Sequence, residues 1–528
     1  MREHAKQRLY NGTGSLREAA DGRWTVRQWV LALLASLTLL WPALVNGGPF
    51  WFPDTPTYIR GADAAFVYVT GQRSEWSDRI KIAPTSAASA ESKIEPGNAQ
   101  AGQITPTRPV LVGRSIYYGF LLYMFLSLGG PWLAVTAQCL GVGLLGTYAI
   151  WRVLHLAGSR HASKAWLAMP VLAVVSPLAY FACMFMPDVY AGLGLLTLSV
   201  ALAYWSRLSV VDRVVFLGSS AIMATFHSTH ILIFAALTGV MVLRAILLRS
   251  KLSVPLVVGG VAIVAGLASN AIFAAGVRHA TSVEPESPPF LTARLQEHEL
   301  GLAFLKDTCA DDGSTFVVCK YADRLPLDSD TFLWSEEQGE GIVQTIPATE
   351  RRAMAAQDKP FFLAVAAHDP VRFAGVVVAS TLEQLVSFDM LVFNYPHRAP
   401  DDIAKAHPNA VTDHILATRA AHGTMPVQPM LIVSIVSALI STILALWLLV
   451  RFVRIGKVGD EISAFIALII MGVLANAMIC GALSGPKGRY QMRLIWIVPA
   501  AALVVVGSHG LPGQRREDAL QAGYTPSA

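Results

Sequence analysis

The stretch AWLAMPVLAVVSPLAYFACMFMPDVYAGLGLLTLSVALAYWS, residues 165–206, contains one charged residue, Asp188. A hydrocarbon core of about 30 Å takes about 20 apolar residues to cross as a helix. The stretch is therefore long enough for two crossings, with Pro187 and Asp188 at the turn between them. No soluble core has a use for so long an apolar run, and the fold class follows from it: a polytopic α-helical membrane protein.

The rest of the chain extends this reading. Of 528 residues, 54% are hydrophobic and only 15% are charged, and the mean hydropathy is +0.48. Soluble domains carry about 25% charged residues. Apolar blocks predict about ten transmembrane helices, at 28–47, 131–154, 165–186, 189–206, 213–226, 229–248, 254–277, 427–451, 461–483 and 491–508. Trp29 to Val45 reads as a first membrane helix and not as a cleaved leader, since it is long for a signal core and no small-residue cleavage site follows.

Lysines and arginines test the layout, because cytoplasmic loops are enriched in them. The N-terminal tail, Arg152 to Lys164, Arg207 to Arg213, Arg244 to Lys251, Arg451 to Lys457, and Arg515 with Arg516 all fall on one side of these spans. That side is expected to be the cytoplasm of a bacterial cell, with the protein in the inner membrane and both termini cytoplasmic. The net charge of +5 is accounted for by these loops and gives no sign of a nucleic-acid partner. The expected organisation is a tail (1–27), an N-terminal membrane module (28–277) with a long external loop (48–130), an extracytoplasmic domain (278–426), a C-terminal membrane module (427–508) and a second tail (509–528).

Within the long loop, SIYYGFLLYMFLSLG (115–129) reads as a helix lying in or re-entering the outer interface, and 72–110 as a flexible stretch without an apolar face. The inserted domain mixes strand-like runs (Thr315 to Val318) with helix-like ones (Pro370 to Leu391), so a small mixed α/β domain is expected. Cys309 and Cys319 flank a polar turn there and would bridge a hairpin in an oxidising compartment. Cys139, Cys183 and Cys480 lie in apolar segments and read as core thiols.

Three constellations carry possible chemistry. PFWFPDTPTYI (49–59) sets Asp54 among aromatics and prolines just outside the first helix; it is either a helix cap within an interfacial belt or an acid placed to act as a base. In MFMPDVYAG (184–192), Asp188 is either a turn acid or a functional group at a membrane boundary. SGPKGRYQMRLIW (484–496) places Lys487, Arg489 and Arg493 on the external side, where the charge rule disfavours them. A bound anion explains this, and Gly485 and Gly488 leave backbone N–H groups open beside the cations, which suits a phosphate. An ion pair to the inserted domain is the plainer alternative. His227 and His230 in FHSTH are too few for a metal site and none is assigned. Arg108 and Arg114 stand near the interfacial segment, where they would meet lipid head groups. No Walker A and no GxSxG motif is present, and no GxGxxG follows a strand.

Taken together, these residues resemble the GT-C class of membrane glycosyltransferases, which includes protein O-mannosyltransferases and aminoarabinose transferases. That class has an Asp just after its first helix, a second acid in a later external loop and a basic external site near its C-terminal helices. Asp54, Asp188 and the group Lys487, Arg489 and Tyr490 match these in turn. The match covers about 28–206 and 427–508; the inserted domain lies before the last three helices, where the class carries its soluble part after the last. The resemblance implies a sugar donor linked to polyprenyl phosphate, an external acceptor left unspecified, Asp54 as base, Lys487 and Arg489 as phosphate ligands and a possible divalent cation. The rivals are a transporter or flippase with these charges along its pathway, and a non-catalytic membrane scaffold.

Overall fold

The computed structural model describes residues 24–78, 115–282, 284–309, 316–395, 403 and 407–509. It is about 78% helical and its described residues form no strand. Eight helices are long and apolar enough to cross a membrane. Helix α1 (Val26–Asn46) passes through a 3₁₀ turn at Thr38–Leu40. Next come α2 (Thr55–Thr70), α3 (Ile116–Leu156), α4 (Ala168–Val175), α5 (Leu178–Ala182), α6 (Asp188–Tyr204), α7 (Val210–Ala224), α8 (Ser228–Leu247) and α9 (Ser253–Thr281). The insert contributes α10 (Phe290–Gln296), α11 (Glu299–Thr308), α12 (Ser329–Trp334), α13 (Ala348–His368), α14 (Pro370–Val386) and α15 (Asn409–Leu416). Helices α16 (Val427–Arg454), α17 (Glu461–Ser484), α18 (Gly488–Ile495) and α19 (Ile497–His509) complete the chain.

Eight long apolar helices replace the ten expected, and two segments account for the difference. The 165–186 span is broken. Pro177 has no N–H to donate and biases the residue before it toward extended backbone; Ser176 is extended at φ −148°, ψ 164°, and its hydroxyl turns back to the Leu172 carbonyl at 2.5 Å. The 213–226 span survives as α7, whose 15 residues rise only about 22 Å. Both segments still connect opposite ends of the molecule. At one end Arg207 donates to the Leu156 carbonyl and Arg244 to the Val458 carbonyl at 2.9 Å; Asp188, His227 and Ser484 lie at the other, around one cavity. Helix α3 likewise divides at Gly129–Gly130, where the backbone leaves the helical region, so 116–128 is a separate arm from the 131–156 leg.

Helix α6 is the axis of the bundle, with 83% of its apolar window buried. Small residues near its start allow close packing: a Cβ on Gly192 would lie 2.5 Å from the Trp496 ring nitrogen. That contact fixes the junction of α18 and α19 against the first turn of α6.

The insert is helical, and the mixed α/β expectation is corrected. The strand-like run continues as a 3₁₀ helix, Val317–Arg324. With no second strand to pair with, Val317 donates its N–H to the Gln357 side chain at 2.7 Å and Val318 is buried. Phe304, Val318, Phe332, Ile342, Phe361 and Val365 belong to a second hydrophobic cluster distinct from the membrane core. Cys309 and Cys319 form a disulfide beside it, with Cα atoms 5.3 Å apart. The helix-like run from Pro370 is α14, which lies along α17; α13 and α14 meet at a 111° bend.

Candidate functional site

Two loops build one wall of the site. Phe50 and Met184 form a parallel bridge: Phe50 donates to the Cys183 carbonyl and Phe185 to the Phe50 carbonyl, both at 2.9 Å. Gln138 donates to the Ala182 and Met184 carbonyls at 2.9 and 2.8 Å, and Thr55 to the Phe185 carbonyl at 2.9 Å. Trp51 donates its N–H to the Tyr395 hydroxyl at 2.8 Å, tying the insert to the same loop. The residues after each loop, Asp54 and Asp188, therefore start α2 and α6 side by side.

A cavity of about 1970 Å³ lies over this wall and beneath the insert. Asp54, Asp188, Lys487, Arg489, Tyr490 and Arg493 all line it. Arg114, and Arg108 with it, fall outside the described residues.

The basic cluster divides into two environments. Arg493 is 3% exposed and donates to Asp188 Oδ1 at 3.0 Å, to Asn476 Oδ1 at 3.3 Å and to the Cys480 sulfur at 3.4 Å. Arg489 is 14% exposed; its Nη1 stands 4.0 Å from Asp188 Oδ2, too far for a hydrogen bond. Both of those atoms are buried without a hydrogen-bond partner. The Arg489 guanidinium carbon lies 4.1 Å above the Phe52 ring and 5.4 Å from that of Tyr490. Lys487, by contrast, is 45% exposed and paired with Asp330 of α12 at 2.7 Å. The plainer alternative, an ion pair to the insert, thus holds for Lys487.

Asp188 is the counter-ion that the two arginines share, and the Asp54 carboxylate also lies within electrostatic reach of Arg489. Asp54 occupies the N-cap position of α2 without a side-chain capping hydrogen bond. His227 caps α8 by accepting from the Thr229 N–H at 3.2 Å, and His230 bonds the Met223 carbonyl through Nδ1 at 2.7 Å. Both histidines work at the helix turn. Among the described residues no group of three or more His, Cys, Asp or Glu is placed to hold a metal ion.

Several site residues escape a sequence reading. Asn476 carried a signal, an amide inside an apolar helix. Cys480, expected as a core thiol, is buried as such but also touches Arg493. Phe52 looked like any interfacial aromatic, and Asp330 and Trp334 gave no local sign. Comparison with protein-family models, curated proteins and solved structures finds no match for this chain.

Proposed function

We propose that the protein is a GT-C-type membrane glycosyltransferase that moves a sugar from a polyprenyl-phosphate donor to an acceptor bound in the cavity. One observation carries the reading: Arg489 lines the cavity and presents a buried Nη1 without a hydrogen-bond partner. A phosphate oxygen would satisfy that donor, and charge-assisted bonds of this kind are strong where water is excluded. The cavity exceeds the roughly 300–1,000 Å³ of ordinary small-molecule sites, which suits a donor head group and an acceptor held together.

In the step itself the acceptor oxygen attacks the anomeric carbon of the donor sugar. The carbon–oxygen bond to phosphate breaks, and the lipid phosphate leaves with the electron pair, stabilised by Arg489. The hydroxyl proton passes to Asp54. Asp188 orients Arg493 and Arg489. A divalent cation finds no group of three or more His, Cys, Asp or Glu to hold it among the described residues.

The bilayer orientation belongs to the same proposal: a bacterial inner membrane, both termini cytoplasmic and the cavity external. Arg207, Arg244, Lys251, Arg451 and Lys457 lie at the helix ends away from the cavity, in keeping with the positive-inside rule. The disulfide on the cavity side suits an oxidising compartment.

The test is donor-lipid binding and sugar transfer by wild type, Arg489→Ala and Asp54→Asn in lipid nanodiscs. Arg489→Ala is expected to weaken donor binding by about tenfold to a hundredfold, and Asp54→Asn to bind donor but lose transfer. Normal binding and turnover by Arg489→Ala would overturn the reading.

A further inference from the structure

The cavity wall opposite the arginines belongs to the insert and has its own chemistry. Asp330 of α12 pairs with Lys487 at 2.7 Å, which sets the start of α12 beside the phosphate wall. Trp334 follows four residues later on the same helix, one turn along the same face. Trp334 lines the cavity, with the Phe290 ring 6.1 Å from its own. Glu336, Gln338, Gln344 and Thr345 extend this wall.

The segment that follows Trp334 is well anchored. Val343 donates to the Phe332 carbonyl at 3.0 Å, and Ile342 and Val343 are buried. Gln344 donates its amide to the Leu333 carbonyl at 2.8 Å, which fixes the amide plane and keeps its oxygen as an acceptor. The Thr345 hydroxyl donates to the Gly341 carbonyl at 2.8 Å.

We propose that Trp334, with Gln338 and Gln344, forms a carbohydrate-binding subsite that holds a glycan as the acceptor. The proposal rests on the transfer reading above and names the acceptor class of that site. A pyranose offers an apolar C–H face, which stacks on an indole, and a rim of hydroxyls, each both donor and acceptor. Amides match that rim because they too carry both functions. An aromatic plane with one amide held beside it by Leu333 and a second exposed at Gln338 therefore recognises a sugar better than it recognises an apolar or anionic ligand. An extended peptide would bind best by adding to a sheet edge, and the described residues of the insert contain no strand. Trp334 and Arg489 line the same cavity, so a sugar on Trp334 shares that space with a donor phosphate on Arg489, as transfer between them requires.

The experiment is saturation-transfer NMR on the full chain in nanodiscs without donor. The probes are neutral hexose and N-acetylhexosamine oligomers of two to four units, with neutral serine-containing tetrapeptides alongside. Wild type is expected to transfer saturation to the ring C–H protons of at least one saccharide series. Trp334→Ala should weaken that binding about fivefold to tenfold, and Trp334→Phe should retain most of it. Gln338 is exposed, so Gln338→Ala folds normally and should weaken binding about threefold to tenfold. Donor-lipid binding should not change in these variants. No saccharide binding at millimolar concentration, binding untouched by both Trp334→Ala and Gln338→Ala, or a preference for the tetrapeptides would overturn the subsite. Saccharide binding by a protein that never consumes donor would instead sink the transfer reading and leave the subsite standing.

Discussion

Arg493 donates Nη1 to Asp188 Oδ1 at 3.0 Å, and the two side chains are 3% and 2% exposed. The pair joins the first turn of α6 to α18, so the carboxylate at the start of the central helix fixes the helix that carries the arginines. Arg493 Nη2 is satisfied by Asn476 and Cys480, which offsets part of the desolvation that a buried ion pair must repay.

This arrangement makes the two ends of the pair unequal. Asp188→Asn leaves the buried Arg493 without its bonded counter-charge, and a loss of about 3–5 kcal/mol is expected. Arg493→Gln should cost less, because Arg489 Nη1 lies 4.0 Å from the same carboxylate and can close on it. Thermal unfolding of both variants in detergent measures the order. A greater loss for Arg493→Gln would show that Asp188 is not the shared counter-ion.

The Phe52 ring, 4.1 Å from the Arg489 guanidinium carbon, holds the plane of that group two residues before Asp54. A desolvated contact of this type contributes about 0.5–2 kcal/mol. Phe52→Leu is therefore expected to weaken donor-lipid binding about fivefold, while Phe52→Tyr keeps it. Titration with donor lipid checks this, and unchanged affinity in Phe52→Leu would remove the ring as a positioning group.

The membrane class was legible because an apolar block near 20 residues is long enough to span a bilayer and too long for most soluble cores. That Asp54, Asp188 and Arg489 share one end of the molecule followed from charge asymmetry alone. The break at Ser176–Pro177 was written in the proline, but hydropathy averaged over a window does not register one missing N–H. The insert misled for a different cause. Thr315 to Val318 has the composition of a strand, yet a strand needs a partner, and pairing is a long-range property that a local run does not contain. The pairing of Lys487 is hidden in the same way, since Asp330 is 157 positions away in sequence.

Glu286 gives the insert a pH dependence of definite sign. Burial alone would raise its carboxyl, but hydrogen bonds from Arg351 at 2.8 Å and Arg352 at 3.0 Å overcome this and hold it below the ordinary glutamate value. A lowered folded value means that the stabilisation is complete above the unfolded value of about 4.3 and is lost as pH falls through the folded one. Glu286→Gln should lower the unfolding midpoint near neutral pH, with the gap to wild type closing below about pH 4. A gap that stays constant down to acid pH would exclude the carboxylate as its source.

Lys487 and Arg489 stand two residues apart, and a sequence reading treats them as one phosphate clamp; the structure separates them. Lys487 is about half exposed and already paired with Asp330, and exposed pairs contribute about 0–1 kcal/mol. Arg489 is buried, stacked on Phe52, and holds a donor group without a hydrogen-bond partner. Lys487→Ala should therefore change donor-lipid affinity by about threefold at most, an effect that fades in high salt. Arg489→Lys should recover only part of what Arg489→Ala loses, because an ammonium cannot reproduce the planar fork or its stacking. Affinities for one donor lipid across Lys487→Ala, Arg489→Ala and Arg489→Lys, at low and high salt, decide the matter. Equal losses for Lys487→Ala and Arg489→Ala would mean that the Asp330 pair opens to admit the phosphate and that the clamp has two arms after all.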